Sequence, residues 1–152
     1  MDVKKFDTSR RKYKIGYTTG TFDLFHVGHL NLLERAKEQC EILIVGVSTD
    51  ELVKEYKKQN PIIPFNERIR IIEALKCVDG VIPQTSMNKI AAWERTHYNV
   101  LFHGDDWKHT KLYNDIEKQL EKLGVPCIYF SYTKNISSEQ IRKQIEHRKD
   151  YL

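Results

Sequence analysis

The segment Thr19-Gly20-Thr21-Phe22-Asp23-Leu24-Phe25-His26-Val27-Gly28-His29 holds the densest set of groups in this sequence that could do chemistry. His26 and His29 are three residues apart, so on a first helical turn they share a face. The segment is glycine-bearing and stands where a strand passes into a helix. Peptide N–H groups and a helix N-terminus there attract a phosphate, and two imidazoles can donate to its oxygens. Gly28 lets the backbone approach closely. The segment carries neither the Gly-x-x-x-x-Gly-Lys-Ser/Thr of a P-loop nor the Gly-x-Gly-x-x-Gly of a dinucleotide site. Zinc is disfavoured, because neither His-Glu-x-x-His nor a third ligand is near. Further along, Asp105 and Asp106 follow an expected strand, where paired carboxylates hold Mg²⁺, accept from an amino group or cap a helix.

These residues need elements to position them. Tyr13 to Thr19 suits a first strand. From Leu30, the apolar positions Leu30, Leu33 and Ala36 recur at helical spacing, with Glu34 and Glu38 outward. Ile42 to Val47 is a continuous apolar run of strand length, as in a parallel strand covered on both faces. Ser48-Thr49-Asp50 is an N-cap cluster before a helix over 51–58. Pro61 and Pro64 break it, and a helix over 66–77 places Ile69, Ile72 and Leu75 inward. A strand over 78–83, a helix from Ser86 to about His97 and a strand over 99–103 follow. A helix over 113–123 is stopped by Gly124, then come a strand over 125–130 and a helix opened by Ser137, with Gln140 at capping-box spacing. Strands and helices alternate five times. That predicts an α/β fold: one Rossmann-like, doubly wound domain with about five mostly parallel strands over 14–152, behind a basic leader at 1–13. Ligands of such sheets bind beyond the C-terminal strand ends. The loops 19–29, 48–50, 83–86, 104–108 and 131–137 are therefore the ones to watch.

Gly20-Thr21-Phe22-Asp23 followed by His26-x-Gly-His29 resembles the signature of the cytidylyltransferase branch of the nucleotidyltransferase superfamily. The resemblance spans about residues 14–146 and is greatest to the glycerol-3-phosphate-using members. It implies that His26 and His29 contact the nucleotide phosphates and stabilise the transition state. Thr21 lies against the phosphates, and Thr19, Gly20, Phe22, Asp23 and Gly28 complete the nucleotide loop. It implies an active-site lysine, Lys57 or Lys58, with Lys58 taken as the catalytic one and Lys57 at the substrate, and an arginine, Arg68, cations suited to the incoming and transferring phosphates. Lys54 reads as a solvated helix end. Lys76 stands where that branch carries a second arginine. Gly104-Asp105-Asp106-Trp107 matches as well. Asp106 is implied beside the base and ribose, where a carboxylate accepts from the cytosine amine, with Trp107 at the substrate. Tyr132-Thr133-Lys134-Asn135-Ile136-Ser137-Ser138 resembles the family's Arg-Thr-x-Gly-Ile-Ser-Thr-Thr, a cradle for the β- and γ-phosphates. Thr133, Ile136 and Ser137 match, and Ser138 supplies a hydroxyl. Tyr132 replaces the arginine, Glu139 the last threonine and Asn135 the glycine, the last a mild change because Asn tolerates positive φ. Lys134 or Arg142 is left to supply the missing charge.

The implied reaction is nucleotidyl transfer. A small phosphate monoester, glycerol 3-phosphate first, attacks the α-phosphorus of CTP in line, and pyrophosphate leaves with Mg²⁺ carried on the nucleotide. The product, CDP-glycerol, serves wall teichoic acid or another glycerol-phosphate polymer. Alternatives are phosphocholine or phosphoethanolamine as acceptor, ATP as donor, or a catalytically silent nucleotide sensor. A homodimer is implied too, and no metal held by the protein alone.

Composition narrows the classes. The net charge of +4, from 25 Lys+Arg and 21 Asp+Glu, is too mild for a nucleic-acid groove. No apolar run reaches the roughly 18 residues of a membrane helix, and Met1-Asp2-Val3-Lys4-Lys5 has no signal-peptide core behind it. Three widely spaced cysteines form no disulfide framework. The expectation is a cytoplasmic enzyme that binds neither nucleic acid nor membrane.

Overall fold

The computed structural model describes residues 11–148. In chain order the elements are β1 (Tyr13–Gly20), α1 (Val27–Glu38), β2 (Cys40–Ser48), α2 (Asp50–Lys57), α3 (Phe65–Glu73), β3 (Gly80–Gln84), α4 (Lys89–Thr96), β4 (Val100–Gly104), α5 (Lys111–Glu121), β5 (Cys127–Phe130) and α6 (Ser138–His147). The sheet order is β3-β2-β1-β4-β5, and every neighbouring pair is parallel. The strand order reverses between β1 and β4. A crevice opens beyond their C-terminal ends, and there the loop after β1 meets the loop after β4.

The alternation of side chains builds two cores. Leu43, Val45 and Val47 of β2 face one side with Val100 and Phe102 of β4, packed with Leu33 and Ala36 of α1 and Ile72 of α3. Leu101 of β4 and Ile44 of β2 face the other side, with Tyr113, Ile116 and Leu120 of α5. There Tyr17 stacks on Tyr98 at 4.9 Å between ring centroids. A strand covered on both faces needs apolar residues at every position, which is why β2 reads as an unbroken run.

Helix and strand ends differ from the sequence reading where a polar group takes over. α1 starts at Val27 rather than Leu30, because His26 caps it. α3 stops at Glu73 rather than 77. The Ala74 amide turns back to Arg70 and Ile71, and the chain bends so that Val78 enters the core and the Asp79 carboxylate accepts the Leu43 amide at 2.8 Å. α4 is capped by Asn88 rather than Ser86, and α5 by Thr110. Gly124, at φ +73°, ends the α5 segment, and the Val125 amide then bonds Leu120, which delays β5 to Cys127. Tyr13 opens β1, while residues 1–10 of the basic leader lie outside the described residues. Cys40, Cys77 and Cys127 are free thiols. No described helix is long and apolar enough to cross a membrane.

Leu33 is fully buried where α1 meets the sheet. Leu33→Ala is expected to lower unfolding stability by about 3 kcal/mol, within the range for large-to-small core changes. Urea titration will read this as a lower midpoint at unchanged slope.

Candidate active site

His26 is the N-cap of α1, in extended conformation, a place usually taken by Ser, Thr, Asp or Asn. Its Nδ1 accepts the Gly28 amide at 3.0 Å. His29, in the third helical position, accepts the His26 amide on its own Nδ1 at 3.3 Å. The two rings stack at 3.8 Å between centroids. A neutral imidazole has one N–H, and an accepting Nδ1 places it on Nε2. Each ring therefore keeps an Nε2–H as its free donor, and both residues line the same cleft. Burial holds His26 below the ordinary histidine value. Burial first, then the charges of His26 and Lys57, hold His29 down at about 3. Gly28 makes this cap possible: a Cβ there would lie 2.8 Å from His26 Cε1. The glycine lets the His26 ring approach the backbone.

Asp23 follows Phe22, and Phe22 and Leu24 both sit at positive φ. Asp23 is 2 % exposed. Its carboxylate accepts the Ile62 amide at 2.8 Å, the Ile63 amide at 2.9 Å and Arg142 Nη2 at 2.5 Å. Burial works to raise its pKa. The two amides and Arg142 outweigh that and hold it below the usual carboxylate value. The Asp23 carbonyl accepts Ser138 Oγ at 2.6 Å. Asp23 thus binds the loop after β1 to residues 62–63 and to α6.

Arg68 corrects the sequence reading. It is 1 % exposed and is not among the cleft-lining residues. Nε donates to the Ile63 carbonyl at 2.8 Å, Nη1 to the Thr21 and Ser48 carbonyls at 2.6 and 2.8 Å, and Nη2 to Asp50 at 2.7 Å. Its charge and donors are taken up by three loops, so it positions the site rather than meeting phosphate. Lys76 is exposed in the turn after α3, also off the lining, because α3 ends early and carries it away. Lys57, the last residue of α2, lines the cleft. Lys58, the lysine that the sequence put forward as catalytic, instead adopts the left-handed C-cap at φ 60° and lies outside the cleft. Loss of water around Lys57, and then Arg142 nearby, hold its pKa below the ordinary lysine value.

The cleft measures about 570 Å³, a size suited to a small organic ligand. Thr19, Gly20, Thr21, Phe22, Asp23, Gly28, Asp106, Trp107, Thr133, Ile136, Ser137 and Ser138 all line it. Thr21 Oγ1 bonds Tyr56 Oη at 2.6 Å, and Thr133 Oγ1 accepts Asn31 Nδ2 at 3.1 Å. Ser137 caps α6, so that helix presents its N-terminus to the cleft. Asn135 sits at φ 65°, the conformation that the glycine it stands for adopts freely. Tyr132 packs its hydroxyl over Gly104, where a Cβ would lie 2.7 Å from it. Loss of water around the phenol and the nearby Asp106 carboxylate push its pKa far up. The cation at this wall is Arg142 of α6. Arg35, Asn31 and Leu32 also line the cleft and were missed in the sequence. With Gly28 they fall at helical spacing on the face of α1 beside Leu33 and Ala36, and that stripe was the available signal. Gln84, Met87, His103 and Tyr56 complete the lining and belong to no motif. Among the described residues no three His, Cys, Asp or Glu side chains converge to hold a metal ion.

Comparison with known proteins agrees with this geometry. The family described as cytidylyltransferase-like matches residues 17–144. The chain is 38% identical over 131 residues to a glycerol-3-phosphate cytidylyltransferase of Bacillus spizizenii, covering 84% of this chain and 94% of that one. It is 33% identical over 135 residues to the Bacillus subtilis protein of the same name, with the same coverage. Among solved structures, a lipopolysaccharide core biosynthesis protein from Thermoplasma volcanium shares the fold at a TM-score of 0.67 and 24% identity, over 82% of this chain and 99% of that one.

Long-range proton–nitrogen NMR is expected to show both His26 and His29 as Nε2–H tautomers. His29 is expected not to titrate between pH 8 and about 4, since its folded pKa lies near 3. The unfolded chain takes up that proton near pH 6.5. The unfolded state therefore binds more protons between these values, and His29 makes stability fall as pH drops through them. A His29 ring that titrates near 6.5 in the folded protein contradicts this geometry.

Proposed function

The chain belongs to the cytidylyltransferase-like family, and on that premise we propose that it transfers the cytidylyl group of CTP to glycerol 3-phosphate. The products are CDP-glycerol and pyrophosphate. The observation that carries this reading is the pair of Nε2–H donors on one face of α1, set opposite the α6 N-terminus and Arg142 across a single cleft. Two relatives named for that reaction, at 38% and 33% identity, support glycerol 3-phosphate as the acceptor.

A phosphate oxygen of the acceptor attacks the α-phosphorus, and the bond from that phosphorus to the bridging oxygen of pyrophosphate breaks. The bridging electron pair leaves with pyrophosphate. A phosphate monoester has its second pKa near 6, so the nucleophile is already deprotonated at neutral pH and no base is needed. Catalysis is then positioning and charge stabilisation. His26 and His29 donate to phosphate oxygens from neutral rings. Lys57 draws the two anions together from α2. Ser137 and the free backbone amides at the N-terminus of α6 hold the pyrophosphate end, and Arg142, whose Nη2 is held by Asp23, offers its remaining N–H groups there. Asp106 accepts from the base amine. Mg²⁺ enters as part of the nucleotide substrate, complexed to its phosphates. Asp23 is not a ligand for it, because its oxygens are taken by three amides and Arg142.

Pyrophosphate release tests this directly, with CTP or ATP crossed against glycerol 3-phosphate, phosphocholine and phosphoethanolamine in Mg²⁺. Turnover is expected for CTP with glycerol 3-phosphate. His29→Ala is expected to lower kcat at least about a hundredfold, the scale of a lost transition-state donor. Lys57→Ala is expected to lose more activity than Lys58→Ala. Turnover with ATP alone, or with no pair, overturns the reading.

A further inference from the structure

Lys89 opens α4 and is 2 % exposed, yet among the described residues no carboxylate pairs with it. Its ammonium donates to Thr19 Oγ1 and to Gln84 Oε1, each at 2.8 Å. Gln84 Nε2 in turn donates to Ser48 Oγ at 3.3 Å. Thr19 lies at the end of β1, while Ser48 and Gln84 end β2 and β3. All three line the cleft. The floor over these strands is thus a patch of hydroxyls and an amide with a cation directly beneath it. A buried ammonium without a counter-charge is costly. Burial accordingly pulls Lys89 down to about 7. Its field reaches the cleft wall: after burial itself, the Lys89 charge helps hold His103 down at about 4.

In the reading above, the phosphates lie at His26, His29, α6 and Arg142, and the base lies at Asp106 and Tyr132. The β1–β3 floor is lining that this reading leaves free, and it is where we place the organic group of the acceptor. We propose that Lys89 is a positioning residue which, through Thr19 and Gln84, makes this floor select an acceptor with a neutral, hydroxyl-bearing group and reject one carrying an ammonium. A hydroxyl can donate to and accept from the Thr19, Ser48 and Gln84 groups. A cationic head brings a second positive charge onto a desolvated floor that has no carboxylate to receive it. The inference rests on the chain being a transferase to a phosphate monoester, and it adds the residue that sets the acceptor class.

Acceptor binding to the full chain without nucleotide tests it, by isothermal titration at about pH 6, below the Lys89 value of about 7. Wild type is expected to bind glycerol 3-phosphate at least about tenfold more tightly than phosphocholine, the effect of a like-charge contact. Lys89→Gln keeps a hydrogen-bonding end without the charge. It is expected to shrink that preference to within about threefold, while inorganic phosphate binds both proteins alike. Purely structural damage would weaken both acceptors and leave their ratio in place. Wild type that binds both equally or neither, or an unchanged ratio in Lys89→Gln, overturns the proposal. Should Lys89→Gln fail to fold, Gln84→Glu places a counter-charge beside the ammonium. The preference is then expected to move towards phosphocholine, and an unmoved preference overturns the proposal. No nucleotide enters these titrations, so a lack of CTP turnover would count against the proposed reaction alone.

Discussion

The buried carboxylate of Asp23 is the contact on which the cleft depends. A parallel sheet places the ends of its strands side by side, but the loops beyond them have no ladder to hold them. Asp23 accepts two amides from the turn before α3 and an arginine from α6, and its own carbonyl receives Ser138. Three segments separated by as many as 119 residues are fixed to one side chain. Arg68 completes the lock from the other side. It donates to the carbonyl of Ile63, whose amide Asp23 accepts, and to Thr21 within the same loop as Asp23. Each backbone group so engaged is one that would otherwise be orphaned in a poorly hydrated crevice.

That lock explains why the two imidazole donors are already set in the ligand-free cleft. Positive φ at Phe22 and Leu24 turns the chain sharply enough for His26 to reach the cap of α1. The cap fixes the tautomer of His26, and His29 is fixed by the amide of His26 in return. Two rings held by backbone groups on Nδ1 need no reorganisation to offer Nε2–H to an anion, which is the condition under which such donors are most effective. The absence of a side chain at position 28 is part of the same device, because a Cβ there would meet the ring of His26.

The parts of this arrangement that were legible in the sequence are those fixed by local spacing. Residues 19–29 hold their chemistry within one loop and one helical turn. The strands announce themselves as apolar runs because both faces are covered. Asn135 in the phosphate loop has the left-handed backbone that its replacement of a glycine suggested. What stayed hidden depends on partners far away in the chain. Nothing near Arg68 in sequence reveals that carbonyls 47 and 20 residues distant absorb its donors. The choice between Lys57 and Lys58 turns on one backbone angle, the left-handed cap that carries Lys58 out of the cleft. Lys89 has no motif around it, and only the packing of α4 under the ends of β1 and β3 makes its burial visible.

Amide hydrogen exchange in Asp23→Asn, compared with wild type, tests the central dependence most directly. The carboxamide keeps the shape but loses the charge and one acceptor. The account predicts that the amides of Ile62 and Ile63 and the first turn of α6 lose protection, while β1 and β2 exchange as in wild type. Unchanged protection at Ile62, Ile63 and the start of α6 would contradict it, and would mean that the loops around the cleft are held by something other than this carboxylate.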